Sequence, residues 1–318
     1  MNWKTDGPRT VPQAFPYQGS KRALAGQILS LFPPEGAPLL IEPFAGSAAI
    51  SVAARYYSVA ENVSISDVNA PLMDLWRSIV DDPISLVESY ESMWHEQKQG
   101  ADDPLVSAKT YFMNKRQAFN ETKRPDILLY LLARCVKAAV RYGKNGDFNQ
   151  SADNRRLGAR PEVMRERIMQ VSKLMQGTKV TAEPYEVPLT SAPREAVVYM
   201  DPPYQGTTDV PDSRYLAGLK REVFSNVLQE AVDNRVSFIV SYDVVREDKK
   251  YGEALPSELG LTHRHVVAGV SSQGTLSGRK ELTVESLYIS PALVARLGGE
   301  GNVDRLIQSM VSEKPALF

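Results

Sequence analysis

The run Val197-Val198-Tyr199-Met200 leads directly into Asp201-Pro202-Pro203-Tyr204. Four apolar or β-favouring residues in succession specify a buried central strand. The proline pair ends it, because proline has no N–H to give to a sheet ladder. In an open α/β sheet, ligands bind beyond the carboxyl ends of the strands. Asp201 and Tyr204 are therefore expected at the lip of a site. Pro202 and Pro203 have fixed φ and no donor, so the loop offers a carboxylate and carbonyls on a stiff backbone. Such an acceptor-only loop suits a substrate with two N–H donors, for example an exocyclic amine. Tyr204 adds a flat face on which an extruded base would stack, worth about 1–3 kcal/mol. The competing reading is a plain strand-to-loop turn in which Asp201 only caps.

The chain before this strand has the layout of a nucleotide-type α/β unit. In Phe15-Pro16-Tyr17-Gln18-Gly19-Ser20-Lys21-Arg22, Gly19 permits a tight turn. Ser20 is a good N-cap for a helix through about Phe32, with Leu24, Ile28 and Leu31 on one face. Tyr17 and Lys21 would then flank a helix N-terminus, which favours anionic groups such as a carboxylate. Leu39–Ile41 reads as a strand running into Glu42-Pro43-Phe44-Ala45-Gly46-Ser47-Ala48-Ala49, then a helix to about Tyr57. The spacing is not G-x-G-x-x-G, which argues against a dinucleotide site. Gly46 and its small neighbours allow a ligand close to the backbone. A second strand, Val63 onward, ends at Asp67, 21 positions beyond Gly46. An acid so placed accepts hydrogen bonds from both hydroxyls of an adenosine ribose. Its alternative role is to cap the next helix, Pro71 to Val80.

The charge pattern then changes. Net charge is only −1, but residues 109–167 hold fourteen Lys/Arg against six Asp/Glu, leaving 23 against 32 elsewhere. A basic segment in an otherwise acidic chain is the footprint expected for a polyanion; lysine-rich solvated helices are the alternative. The segment follows an acidic helical stretch, Asp74 to Asp103. It contains a strongly apolar helix candidate, Ile127 to Tyr142, and then a hairpin-like turn, Arg141 to Gln150, rich in Gly and Asn. Asn and Gln read adenine, and Arg reads guanine or grips phosphate. Arg124, Arg141, Lys144, Asn145, Asn149, Arg155 and Arg156 are the candidates.

From Pro161 a helix is expected to end at Gly177, followed by a strand over Lys179–Tyr185, a helix over Leu216–Asp233 and a strand over Ser237–Tyr242. His263–Val270 and Leu282–Ser290 read as a terminal antiparallel pair. The polar loop between them carries Arg279 and either touches a substrate backbone or is an ordinary connection. One cysteine and three histidines exclude a disulfide and argue against any metal site. No apolar run is long enough to span a bilayer. The start, Met1-Asn2-Trp3-Lys4, has no apolar signal core behind it, so a cytoplasmic protein is expected.

Together these residues resemble the DNA adenine methylase (Dam-like) family of S-adenosylmethionine-dependent enzymes, in motif order over nearly the whole chain. Tyr17-Gln-Gly-Ser-Lys21 is similar to its N-terminal cofactor motif and Glu42-Pro-Phe-Ala-Gly46-Ser to its glycine motif. Asp67 matches the ribose-binding acid, and Asp201-Pro-Pro-Tyr204 the catalytic tetrad. Arg141 to Asn149 resembles a stretch near the end of the target-recognition domain, and Ser272 to Lys280 a late Ser/Arg loop. The resemblance implies an α/β Rossmann-like methyltransferase sheet with helices on both faces (residues 1–75 and 161–318) and an inserted, mainly helical, target-recognition domain (76–160). It implies S-adenosylmethionine as cofactor, with Tyr17 and Lys21 at its methionine end, Phe44 and Gly46 bordering it, and Asp67 on its ribose. It further implies that Asp201 lies between cofactor and base, and that Asp201, Pro202 and Tyr204 carry catalysis on the N6 amine of a flipped adenine in duplex DNA. A monomer in a prokaryotic or phage-infected cell, with a restriction endonuclease as a further partner, completes the expectation. The alternatives are a cytosine N4 or RNA adenine methyltransferase, or a DNA-binding relative without catalysis.

Overall fold

A computed structural model describes residues 10–100, 103–143, 145–203, 219–246, 249–251, 254–270 and 282–312. Tyr204, Lys144 and Arg279 lie outside these residues, as does the 271–280 loop.

The strands are β1 (Ala37–Glu42), β2 (Ala60–Ser66), β3 (Lys179–Thr181), β4 (Val197–Met200), β5 (Phe238–Arg246), β6 (Lys249–Tyr251), β7 (Thr262–Val270) and β8 (Leu282–Ile289). They form one sheet in the order β3-β2-β1-β4-β5-β8-β7, with β6 paired to the far end of β5. β3, β2, β1, β4 and β5 run parallel. β8 is inserted antiparallel between β5 and β7. The expected Rossmann-like methyltransferase sheet and its terminal antiparallel pair are thus borne out.

β4 is fully buried and holds the middle of the sheet. Its side chains alternate faces. Val197 and Tyr199 enter a core with Leu40, Ile65, Ile28 and Trp76. Val198 and Met200 enter a second core with Phe224, Leu228 and Tyr185. Two cores on opposite faces explain why the strand is apolar at every position.

The helices are α1 (Ala25–Leu29), α2 (Ala49–Tyr56), α3 (Ala70–Asp81), α4 (Pro83–Glu96), α5 (Pro104–Thr122), α6 (Pro125–Arg134), α7 (Pro161–Leu174), α8 (Glu186–Thr190), α9 (Arg221–Asp233), α10 (Pro291–Arg296) and α11 (Glu300–Ser312). Several open on proline, whose missing N–H is an orphan at that position anyway. Asn69, Asp82, Asp103 and Ser290 each accept a first-turn N–H. α4, α5 and α6 pack around Tyr90, Phe112, Phe119 and Tyr130, in a core continuous with that of the sheet. α7 packs on α2, α3 and α4.

Three local expectations are corrected. The helix from Ser20 is instead a 3₁₀ turn, Lys21–Leu24, followed by the short α1. Ser20 caps nothing, and its hydroxyl accepts from Ser47 Oγ at 3.0 Å. Leu24, Ile28 and Leu31 are nonetheless buried together. The Ile127–Tyr142 helix ends at Arg134, where Cys135 turns extended and Lys137 and Ala138 adopt φ of 58° and 50°. The chain beyond pairs with its own return: Val136 N donates to Ser151 O at 3.0 Å, and Cys135–Ala152 and Tyr142–Phe148 form antiparallel bridges. The apolarity there reflects burial in a hairpin root rather than helical continuity. The strand from Lys179 stops at Thr181, because only Ser64 to Ser66 of β2 lie alongside it.

Ser290 joins sheet to helix. Its hydroxyl accepts from Phe238 N at 2.9 Å and from Leu293 N at 3.4 Å, both buried. Ser290→Ala leaves these donors without that partner and is expected to lower unfolding stability by about 1–3 kcal/mol, read from the urea midpoint at unchanged slope.

Candidate active site

The strand order reverses between β1 and β4, and a crevice opens where their carboxyl ends separate. Each strand delivers one acid to it. Glu42 is the last residue of β1 and Asp201 follows β4. A cavity of about 360 Å³ lies there, the size of a small-molecule site.

Gly46 forms one wall. Its φ is +49°, and a Cβ built on it would lie 3.1 Å from the Tyr17 ring, so a side chain here is opposed by both backbone and neighbour. The turn is held from three directions. Ala45 N donates to Ser66 O at 3.0 Å, Gly46 N to Asp67 Oδ2 at 3.2 Å, and Trp76 Nε1 to Gly46 O at 3.0 Å. Asp67 Oδ1 accepts from Asn69 N at 2.9 Å. The cap of α3 is Asn69, whose Oδ1 takes Leu72 N at 3.4 Å. Asp67 therefore braces the glycine turn and borders the cavity; burial raises its pKa above the usual carboxylate value.

Opposite stands an aromatic pair. Phe44 and Tyr185 stack with ring centroids 5.0 Å apart, and Phe224 closes edge-on against both. Val223 and Leu219 extend this apolar wall.

The polar end is a buried charge cluster. Lys21 Nζ lies 3.2 Å from Asp201 Oδ1 and 2.8 Å from Glu285 Oε2, with the lysine side chain only 7% exposed. Burial raises the Asp201 carboxyl to about 7; Lys21 opposes that rise and Glu285 adds to it. Burial likewise raises Glu42 to about 7, although its Oε2 accepts from Ser51 N at 2.8 Å and so caps α2.

Tyr17, Lys21, Phe44, Gly46, Asp67 and Asp201 thus border one cavity, and Pro203 joins them. Pro202 is buried beside them. Sequence reasoning missed Glu42, Tyr185 and Glu285. Glu42 had a legible signal, an acid at the end of an apolar run, whereas Glu285 is brought to the site only by the sheet order. Tyr185 had none, because its partner Phe44 is remote in sequence.

The basic segment reaches the cavity through Tyr142, whose hydroxyl donates to Asn69 Oδ1 at 3.1 Å. Beyond it is the expected hairpin. Asn149 N donates to Arg141 O at 3.0 Å and Gly143 N to Asp147 O at 2.7 Å. Tyr142 and Phe148 are buried, and Asn120 holds the Phe148 backbone at both N–H and carbonyl. Arg141, Asn145 and Asn149 project outward, exposed. Arg124, also exposed, is bidentate to Asp126. Arg155 and Arg156 are 87% and 70% exposed but lean on the buried carboxylate of Asp153.

A sequence profile of D12 class N6 adenine-specific DNA methyltransferases matches residues 17–272, from Tyr17 to just past the end of β7. The chain belongs to this family. It is similar to the retron Ec67 DNA adenine methylase of Escherichia coli, 27% identical over 197 residues, which cover 60% of this chain and 63% of that protein. It is also similar to type II methyltransferase M.MjaIII of Methanocaldococcus jannaschii, 26% identical over 59% of this chain and 68% of that one. The DNA adenine methylase of Serratia marcescens is 24% identical, over 59% and 65%. The chain thus spans about two thirds of the length of the curated relatives it matches. Among the described residues, no helix is long and apolar enough to cross a membrane and no cluster suits a metal ion.

The acids of this D12-family site carry a pH signature. A carboxyl whose folded pKa exceeds its unfolded value binds more protons when folded. Its contribution to stability is greatest below the unfolded value and is lost as pH rises through the folded one. For Glu42 that window runs from 4.5 to about 7. The thermal midpoint is expected to fall between pH 5 and 8, and Glu42→Gln, which can still accept from Ser51, should flatten that fall in calorimetric scans.

Proposed function

We propose that this chain transfers a methyl group from S-adenosylmethionine to the N6 amine of an adenine flipped out of duplex DNA. The observation that carries this reading is the placement of Asp201. It sits at the strand-order reversal, on a loop stiffened by two prolines, in one cavity with Gly46, Asp67, Tyr17 and Lys21.

The residues present fit the cofactor. The bare Cα of Gly46 leaves room for close approach. Asp67 keeps lone pairs beyond the two it shares with Gly46 and Asn69, enough to accept from ribose hydroxyls. Phe44 borders the adenosine part, and Tyr17 and Lys21 serve the methionine end. When bound, S-adenosylmethionine supplies an electrophilic methyl on a sulfonium centre. The chain's task is then mainly positioning and electrostatics.

An adenine N6 amine is a weak nucleophile because its lone pair is delocalised into the ring. Asp201 and the Pro202 carbonyl accept its two N–H bonds, which favours a pyramidal nitrogen with a localised lone pair. As that nitrogen gains positive character, the carboxylate beside it stabilises the charge. Extruding the base takes a few kcal/mol, offset in part by stacking on Tyr204. Residues 76–160 serve as the DNA-recognition unit. Arg141, Asn145 and Asn149 on the exposed hairpin read the duplex, with Lys144 and Arg279 as further contacts. Arg124, Arg155 and Arg156 grip phosphate.

Asp201→Ala is expected to lower single-turnover transfer of a tritiated methyl group to duplex DNA by about 10²–10³-fold or more. DNA affinity should stay within a few-fold; substantial residual methylation would remove Asp201 from the reaction. Replacing Arg155 and Arg156 together by alanine should weaken DNA binding and reduce the slope of log K against log salt by about 1–2, measured by fluorescence anisotropy across a salt series.

A further inference from the structure

The charge cluster at the cavity floor is unequal. One ammonium, Lys21, faces two carboxylates, and it lies closer to Glu285 (2.8 Å) than to Asp201 (3.2 Å). Glu285 is not part of the Asp-Pro-Pro-Tyr loop. It comes from the middle of β8, the antiparallel strand, in register with Val244 of β5 and Val266 of β7. A carboxylate inside a strand with sheet partners on both sides is costly to bury unless it is paired. Its side chain is 10% exposed and its ion-pair partner is Lys21.

On the methyl-transfer reading, Asp201 must accept an N–H from the substrate. A lysine bound to Asp201 alone would compete for that acceptor and draw off its negative charge. The ammonium has three donors, and Glu285 draws it to the far side. The approach of Lys21 to Asp201 is at Oδ1, 3.2 Å, longer than its 2.8 Å approach to Glu285.

We propose that Glu285 is a positioning residue for the transfer step, holding Lys21 away from Asp201 so that Asp201 keeps its capacity to accept a hydrogen bond from the amine. The inference rests on the methyl-transfer reading for its purpose, but not for its electrostatics. Asp201 is faced by Lys21 from the 3₁₀ turn, by Glu285 from β8, by Glu42 from β1 and by Tyr199 from its own strand. Removing the Glu285 charge takes away a like charge and the 2.8 Å contact that draws Lys21 from Asp201, and both changes favour the ionised Asp201 carboxylate. Its titration must then move toward acid, while its capacity to accept a further hydrogen bond falls.

The test uses full-length protein carrying ¹³C-carboxyl aspartate, with the Asp201 resonance assigned from Asp201→Asn. In Glu285→Gln the Asp201 midpoint should fall by about one pH unit or more. Single-turnover methyl transfer at pH 8 should fall about ten-fold or more with little change in DNA Kd. An Asp201 midpoint that stays in place in folded Glu285→Gln overturns the proposal, since a space-filling role for Glu285 would not move it. If Glu285→Gln does not fold, Glu285→Asp replaces it. This variant keeps the charge but shortens the reach, so Lys21 moves toward Asp201 and slower transfer is expected. Wild-type transfer in folded Glu285→Asp then overturns the proposal. A shifted midpoint in Glu285→Gln, alongside wild-type protein inactive on adenine in duplex DNA, would sink the methyl-transfer reading and leave the electrostatic role standing. An active wild type with an unmoved midpoint would do the reverse.

Discussion

A buried ammonium between one buried and one half-buried carboxylate is the interaction on which the site depends. Lys21, Asp201 and Glu285 come from three distant parts of the chain, and they meet only if the N-terminal turn, β4 and β8 are all in place. No two of these segments are neighbours in sequence. Burial disfavours each charge, and their mutual proximity is what makes the burial tolerable. Removing Lys21 would leave two like charges facing each other in a low-dielectric floor. The cluster thus ties a chemical requirement to a topological one: the antiparallel strand between β5 and β7 supplies an acid where a parallel strand would bring a different register.

The second constraint is the glycine turn after β1. It is fixed by hydrogen bonds that its N–H groups donate to Asp67 and Ser66 and by one it accepts from Trp76. Through Asn69 and Tyr142 the same corner is joined to the root of the basic hairpin. Gln18 N also donates to Ala138 O at 2.9 Å, so the N-terminal turn is stitched to that root as well. The surface that carries exposed Arg141 and Asn149 is therefore fastened to both walls of the cavity. The core is continuous between them, which keeps the insert from being a loosely tethered lobe.

Much of this was legible in the sequence, where local chemistry decides the outcome. The unbroken Val197–Met200 run has one good explanation, burial on both sides, and the structure places it mid-sheet. The glycine turn, the acid at the end of β2 and the hairpin from Arg141 to Gln150 are also short-range signals. Failures fell where distant partners decide. Ile127–Tyr142 has helical apolarity, yet residues 135 onward answer to the strand-like return at 148–152. Ser20 looks like a cap, yet its hydroxyl meets Ser47. Phe44 carries no hint that Tyr185 lies flat against it. Glu285 was passed over because a lone acid in a strand is usually a solvated position, and only the sheet order shows it facing Lys21.

Proline placement has an architectural effect of its own. Between α3 and α4 the chain has a single non-helical residue, Asp82, at φ −141° and ψ 62°, followed by Pro83. A residue before proline is driven from helical geometry by collision with the ring. The break folds α4 back, so that Tyr90 can give its hydroxyl to Ala159 O at 2.7 Å and close the bundle. One five-membered ring thereby sets the direction in which α4 leaves α3.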